Sequence, residues 1–341
     1  MTERLSVAEI GDNAIKRAAF LLQKGGVVAI PTETVYGLAA AATNPAAIRK
    51  VFKAKGRPQD NPLIVHIAEI EQLSFVAKEI PETAFRCAKA FWPGPFTMIL
   101  PRGENIPPEV SAGLDTVAVR LPAHPIACKI ITACGIPLAA PSANSSGKPS
   151  PTSARHVMED LDGKIDAVVF AGECAIGVES TVVTLCTNPP RLLRPGGVTV
   201  EQLRVILPNL VVDHAVLSEP KPGEKPVSPG MKYRHYAPKT KAVLVQGDSD
   251  AFAAFVNAKP HCAALCFAEE ENKICCPKLC YGTRQDENTL AHDLFAVLRQ
   301  ADNLQAEVLY IHAPSKTGMG LAVYNRLIRA TAFEIITLSD L

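Results

Sequence analysis

From Ser218 to Pro238 the sequence gives up core-forming residues for Pro, Gly, Lys and Glu, and a stretch of that composition cannot bury enough apolar surface to fold on its own. It divides the chain into two compact units. The 341 residues agree with that division, since single hydrophobic cores stop growing at roughly 250–300 residues. We expect a first domain at 1–215, a linker at 216–240 and a second domain at 241–341.

In the first unit Ile15, Ala18, Ala19 and Leu22 recur at helical spacing. Gly25-Gly26 stops that helix before the apolar run Val27–Ile30. A second helix has Asn44 as N-cap and Pro45 at its first position. Ile48, Val51 and Phe52 share one of its faces, and it runs out into the basic loop Lys53–Arg57. Strand-like runs follow at Leu63–Ile67, Phe96–Leu100, Val117–Leu121, Pro137–Ala140, Ala167–Phe170 and Thr181–Leu185. The class is α/β. Pro93-Gly94-Pro95 and Pro107-Pro108 predict loops or hairpins between neighbouring strands, so the sheet is expected to be mixed.

After the linker, strands at Ala242–Val245, Ala263–Phe267 and Glu307–His312 alternate with helices at Ala251–Val256, Leu290–Ala301 and Gly320–Ala330. That pattern predicts a smaller Rossmann-like domain. Its Thr317-Gly-Met-Gly320 reads as a turn.

Composition excludes several function classes. Apolar residues make up 48% of the chain but come in short runs, so no membrane span is expected. The segment Met1–Asp12 has no secretory character, which points to the cytoplasm. With 35 Lys+Arg against 34 Asp+Glu, the field that sequence-independent RNA binding needs is lacking, and direct tRNA binding is expected to be weak or absent. Five of the ten cysteines fall between Cys262 and Cys280, yet no Cys-x-x-Cys pair occurs. They read as small buried hydrophobes, and no tightly bound metal is expected.

Neither common phosphate fingerprint is present. Ser146-Gly-Lys-Pro-Ser150 lacks the upstream glycine, and Pro149 removes an amide that a phosphate cradle would use. Three polar loops instead follow apolar strands or a helix, where ligands gather in α/β proteins. They are Pro31-Thr-Glu-Thr-Val-Tyr-Gly37, Lys53-Ala-Lys-Gly-Arg-Pro-Gln-Asp-Asn-Pro62 and Pro141-Ser-Ala-Asn-Ser-Ser-Gly-Lys-Pro-Ser-Pro-Thr-Ser153. The third runs into a helix whose start attracts anions.

At these loops the chain resembles the threonylcarbamoyl-AMP synthase family in its long, two-domain form. The resemblance rests on Pro31-Thr-Glu-Thr-Val-Tyr-Gly-Leu38, on Lys-x-Arg at Lys55 and Arg57, and on Ser-x-Asn at Ser142 and Asn144. It extends to the linker motif Ser228-Pro-Gly-Met-Lys-Tyr-Arg-His-Tyr-Ala-Pro238. It implies a YrdC-like mixed, twisted sheet with a large open cavity, followed by the Rossmann-like domain. The implied reaction joins L-threonine and bicarbonate as an N-carboxy-threonine, whose carbamate attacks the α-phosphorus of ATP. Pyrophosphate leaves with Mg2+ screening it, and a separate transferase carries the threonylcarbamoyl group to an adenosine beside the tRNA anticodon.

The same resemblance sets threonine against Thr34, His66, Arg120, Ala140 and Ser180. It sets ATP against Arg57, Asn61, Thr116, Ser142, Ser150, Arg194 and Tyr236, with Lys55, Arg57, Ser142 and Asn144 as the catalytic group. The chemistry agrees, because every participant is an anion and meeting requires positive charge. The unusual linker run Lys232-Tyr-Arg-His-Tyr236 is read as a lid over the cavity. Two rival readings are a double-stranded RNA-binding or ribosome-assembly protein, disfavoured by the balanced charge, and a carbamoyl-transfer role, disfavoured by the missing zinc-finger spacing.

Overall fold

The computed structural model describes residues 1–219 and 236–338. The reading of Lys232–His235 as part of a lid lies outside these described residues. Two sheets organise the molecule, one on each side of residues 220–235.

The first sheet contains β1 (Glu3–Ser6), β2 (Val28–Ile30), β3 (Gly37–Ala41), β4 (Ile64–His66), β5 (Phe96–Pro101), β6 (Thr116–Arg120), β7 (Leu138–Ala140), β8 (Ala167–Phe170), β9 (Thr181–Thr184), β10 (Arg191–Arg194) and β11 (Val211–Val212). Their order is β1-β8-β2-β3-β7-β4-β6-β5-β9-β10-β11. Parallel pairs such as β4 with β6 and β5 with β9 are interleaved with antiparallel pairs such as β5 with β6 and β4 with β7. The sheet is mixed, as the proline-marked connections predicted: Pro107-Pro108 lies in the link between antiparallel β5 and β6.

Strand alternation decides which face carries chemistry. Val65, Val119 and Met98 lie opposite one another and enter the main apolar core. Their neighbours His66, Arg120 and Thr97 are likewise in register with one another and therefore project from the other face. That row is polar, yet all three residues are buried.

The second sheet holds β12 (Lys241–Gln246), β13 (Cys262–Cys266), β14 (Lys278–Cys280), β15 (Val308–His312) and β16 (Ile335–Thr337) in the order β14-β13-β15-β12-β16. All of its pairs are parallel, with the helices Ser249–Asn257, Glu287–Gln300 and Gly318–Ala330 as crossovers. Thr317 stands at the N-cap of the last helix rather than inside a free turn. Every residue of that helix from Gly320 to Ala330 is buried, Asn325, Arg326 and Arg329 included. A helix buried all round must have protein on both sides. Asn325 Nδ2 donates to Val216 O at 2.7 Å and Arg329 Nη2 to Ala215 O at 2.7 Å, which docks it on the end of the first unit.

The two units also approach closely at Gly177. Its φ is +84°, and a Cβ there would stand 2.4 Å from the Ala291 carbonyl oxygen, so only glycine permits the contact. No helix among the described residues is long and apolar enough to cross a membrane.

Candidate functional site

The polar face of the first sheet opens into a cleft whose empty space, open mouth included, is about 740 Å³. Thr34, Lys55, Arg57, His66, Arg120, Ala140, Ser142, Asn144, Ser180, Arg194 and Tyr236 all line it. Three further residues named from the sequence do not. Asn61 and Ser150 are buried just behind the lining, and Thr116 is half-buried at the start of β6.

At one end the guanidinium of Arg120 is held on three sides. Nε donates to Gly94 O at 3.2 Å, Nη1 to Thr34 Oγ1 at 2.9 Å, and Nη2 meets Glu33 Oε1 at 2.6 Å as an ion pair. Burial pushes the Glu33 carboxyl up, but Arg120 more than reverses this and leaves it below the usual carboxylate range. Thr34 is itself fixed, since its hydroxyl lies 2.9 Å from that of Thr32, which bonds Val35 O at 2.6 Å. Thr97 and Ser180 close this end, their hydroxyls 2.8 Å apart.

His66 belongs to the same end. Its Nδ1 lies 3.1 Å from Ile64 O, and only a protonated Nδ1 can bond to a carbonyl. Burial first, and then Arg120, depress its pKa to about 3. The ring is therefore neutral with Nε2 as an acceptor, suited to a hydroxyl or amine donor rather than to a carboxylate.

The other end is cationic. Lys55 is the last residue of the helix Pro45–Lys55, whose start is capped by Asn44 accepting from the Ala46 and Ala47 amides and whose end is closed by left-handed Gly56. Those caps aim Lys55 inward. Its Nζ donates to Ser142 O at 2.5 Å, Asn144 O at 2.6 Å and Asn144 Oδ1 at 3.2 Å. The ammonium's three N–H groups thus go to the loop after β7, although burial and then Arg57 pull its pKa well below the usual lysine range. Ser142 Oγ in turn donates to Asn144 Oδ1 at 2.5 Å.

Arg57 donates to Asn61 O at 3.4 Å, while its Nε and Asn61 Oδ1 are buried with no hydrogen-bond partner among the described residues. Buried orphans are rare and call for a ligand or water. Arg194 donates to Ser180 O at 3.1 Å and Ser180 Oγ at 3.2 Å. Burial is the first cause that lowers both Arg57 and Arg194 to about 10. Two arginines held in one cleft at this cost favour an anion between them. Tyr236 lines the same end and stacks on Phe295 of the helix Glu287–Gln300, ring centroids 5.1 Å apart.

Glu179, which the sequence reading passed over, lines the cleft beside Ser180. Its Oε1 accepts from Ser150 Oγ at 2.5 Å. No periodicity marks it, because it precedes β9 in an irregular segment. Glu33 was also missed as a site residue, although it stands inside the first polar loop. Among the described residues no group of three or more His, Cys, Asp or Glu side chains is arranged to hold a metal.

The resemblance to known proteins spans nearly the whole chain. The Sua5/YciO/YrdC family model, described as telomere recombination, matches residues 20–196. The model described as threonylcarbamoyl-AMP synthase, C-terminal domain, matches residues 198–332. Among curated relatives, the threonylcarbamoyl-AMP synthase of Pyrococcus abyssi is 46% identical over 98% of this chain and 99% of its own length. That of Bacillus subtilis is 43% identical over 98% and 97%. Among solved structures, P. abyssi Sua5 complexed with L-threonine superposes with a TM-score of 0.89 at 42% identity, covering 99% of each chain.

Proposed function

The chain belongs to the threonylcarbamoyl-AMP synthase family of nucleotidyltransferase enzymes, and from that premise we propose that its cleft converts L-threonine, bicarbonate and ATP into threonylcarbamoyl-AMP and pyrophosphate. The observation that carries the proposal is the split character of one cleft. A neutral acceptor, a hydroxyl and a pre-oriented arginine meet at His66, Thr34 and Arg120, Arg57 stands with Lys55 by the loop after β7, and Ser180 joins the two groups, because Arg194 donates to its carbonyl and its hydroxyl.

In this reading Arg120 takes the threonine carboxylate, with Thr34, Ser180 and the Ala140 backbone around the amino acid. His66 Nε2 accepts a hydrogen from its hydroxyl. The amine condenses with bicarbonate, losing water, to give the N-carboxy compound. One carbamate oxygen then attacks the α-phosphorus, and the bond to the β-phosphate breaks. Arg57, Arg194, Asn61, Ser142, Ser150 and Tyr236 surround the nucleotide, with Thr116 at the margin. Lys55 and Asn144 hold the Ser142 loop in place. Charge developing on the phosphoryl oxygens meets cations already fixed in a water-poor site, so catalysis is electrostatic positioning without a covalent enzyme intermediate.

Mg2+ arrives as part of the MgATP substrate, on triphosphate oxygens and water, which fits a cleft offering hydroxyls and carbonyls. We assign the chemistry to residues 1–215, a connecting role to 216–240 and a supporting role to 241–341. The product is unstable in water, which calls for a downstream transferase in the cytoplasm that consumes it for tRNA modification. The test is incubation with ATP, bicarbonate and each amino acid in turn, following pyrophosphate and the adenylate mass. Pyrophosphate release that does not depend on threonine sinks the proposal.

A further inference from the structure

Arg326 lies on the helix Gly318–Ala330, in the second unit, yet its side chain is fully buried against the wall of the cleft in the first. Nε donates to Glu179 Oε2 at 2.9 Å, and Nη2 to Glu179 O at 3.3 Å. Nη1 donates to Pro195 O at 2.5 Å, Asn325 Oδ1 at 3.2 Å and Ala322 O at 3.3 Å. The guanidinium thereby grips both segments that shape the cationic end: Glu179-Ser180 before β9 and Pro195 after β10.

Docking alone does not require this. A buried charge pair usually stabilises no better than a well-packed apolar pair of the same volume. The close approach at Gly177 and the bonds to Ala215 and Val216 already hold the units together. A second arginine, Arg299, reaches across to Asp160 Oδ2 at 2.9 Å and Pro149 O at 2.6 Å, next to Ser150. What distinguishes Arg326 is its partner. Glu179 is the carboxylate facing the cleft beside Arg194, and burial would raise its pKa were it not for Arg326 and then Arg194, which together leave it lowered.

We propose that Arg326 is a positioning residue for the nucleotide end of the cleft: it neutralises Glu179 from behind, so that Arg194 stays available to the ATP phosphates and Ser150 stays oriented. The second unit is thus a working part of the active site, acting through one buried ion pair. Without the guanidinium, Glu179 keeps its charge and its cleft position and draws on Arg194, in direct competition with the incoming anion.

The inference rests on the reading that Arg57 and Arg194 face the nucleotide, and its test separates the two. Full-length wild type, Arg326→Met, Arg326→Lys, Glu179→Gln and the Arg326→Met/Glu179→Gln pair are compared for kcat, for KM of ATP and of threonine, and for Tm. We expect Arg326→Met to raise the ATP KM by about tenfold or more while the threonine KM moves less than about threefold. Adding Glu179→Gln should recover most of that loss, the non-additivity of residues acting as a unit. Arg326→Lys, which keeps the charge, should sit between. Equal shifts in both KM values, or no recovery in the double variant, overturn the inference. If Arg326→Met does not fold, Arg326→Lys decides by the same ratio of KM shifts. Wild type without threonine-dependent pyrophosphate release instead overturns the functional reading.

Discussion

Lys55 Nζ and the carbonyl oxygen of Ser142 are 2.5 Å apart, so the lysine of the Lys-x-Arg motif is bonded to the loop of the Ser-x-Asn motif. The two motifs are one structural unit. Lys55→Met takes the ammonium away from the Ser142 and Asn144 carbonyls, which costs about 1–3 kcal/mol. We expect a fall in Tm of several degrees together with a loss of turnover of about 100-fold. Lost turnover at an unchanged Tm would instead make Lys55 a direct substrate contact.

Arg57 behaves in the opposite sense. It is half-buried, its buried Nε has no hydrogen-bond partner among the described residues, and its pKa is pushed down to about 10 chiefly by desolvation. The fold gains little from it. Arg57→Ala should cut pyrophosphate release by about 100-fold or more while Tm stays level or rises, the trade of stability for function expected at a charged site. Near-normal release by a folded variant would remove Arg57 from the phosphate site.

The proposed reading makes selectivity for threonine depend on the His66 tautomer. With Nδ1 donating to Ile64 O, Nε2 reads a hydroxyl, and an amino acid without one leaves that acceptor unpaired. Valine should be rejected more strongly than serine, which lacks only a methyl group and should react with kcat/KM lower by about 10–200-fold. His66→Phe should lose the distinction between threonine and valine. Retained discrimination in that variant would place the hydroxyl elsewhere.

Acid should destabilise the fold in two stages. Unfolded histidine binds a proton below about pH 6.5, whereas His66 in the fold resists until about 3, so stability begins to drop as pH falls below the unfolded value. Glu33, Asp160 and Glu179 have folded pKa values lowered by Arg120, Arg299 and Arg326 against the raising effect of burial. Their contribution is complete above about pH 4.5 and is lost as pH falls through the lower folded values. Melting curves between pH 8 and 3 should show a gentle decline and then a steep one. His66→Asn should flatten the first stage only; an unaltered curve would contradict this account.

Much of the site was legible because its residues come in short polar runs at strand and helix ends. The Asn44 cap and Arg120 at the end of β6 stand where local pattern put them, whereas Lys53 to Lys55, read as loop, form the last turn of the helix, which stops only at left-handed Gly56. The strands Glu3–Ser6, Gly37–Ala41 and Arg191–Arg194 were not foreseen. Gly37–Ala41 is five small or apolar residues, all buried, with no alternation to read. Arg191–Arg194 carries arginine at both ends, and only pairing with β9 makes it a strand. Arg326 was invisible for another reason: nothing near it in sequence tells of a carboxylate in the other unit.

The Arg326–Glu179 bond joins residues 147 positions apart. During synthesis at about 5–20 residues per second, the carboxylate is therefore made about 7 to 30 seconds before its counter-ion. Until then the nascent first half has Arg194 but not Arg326 to offset that charge. Only the helix Gly318–Ala330, made after both walls of the cleft, brings that second guanidinium to it.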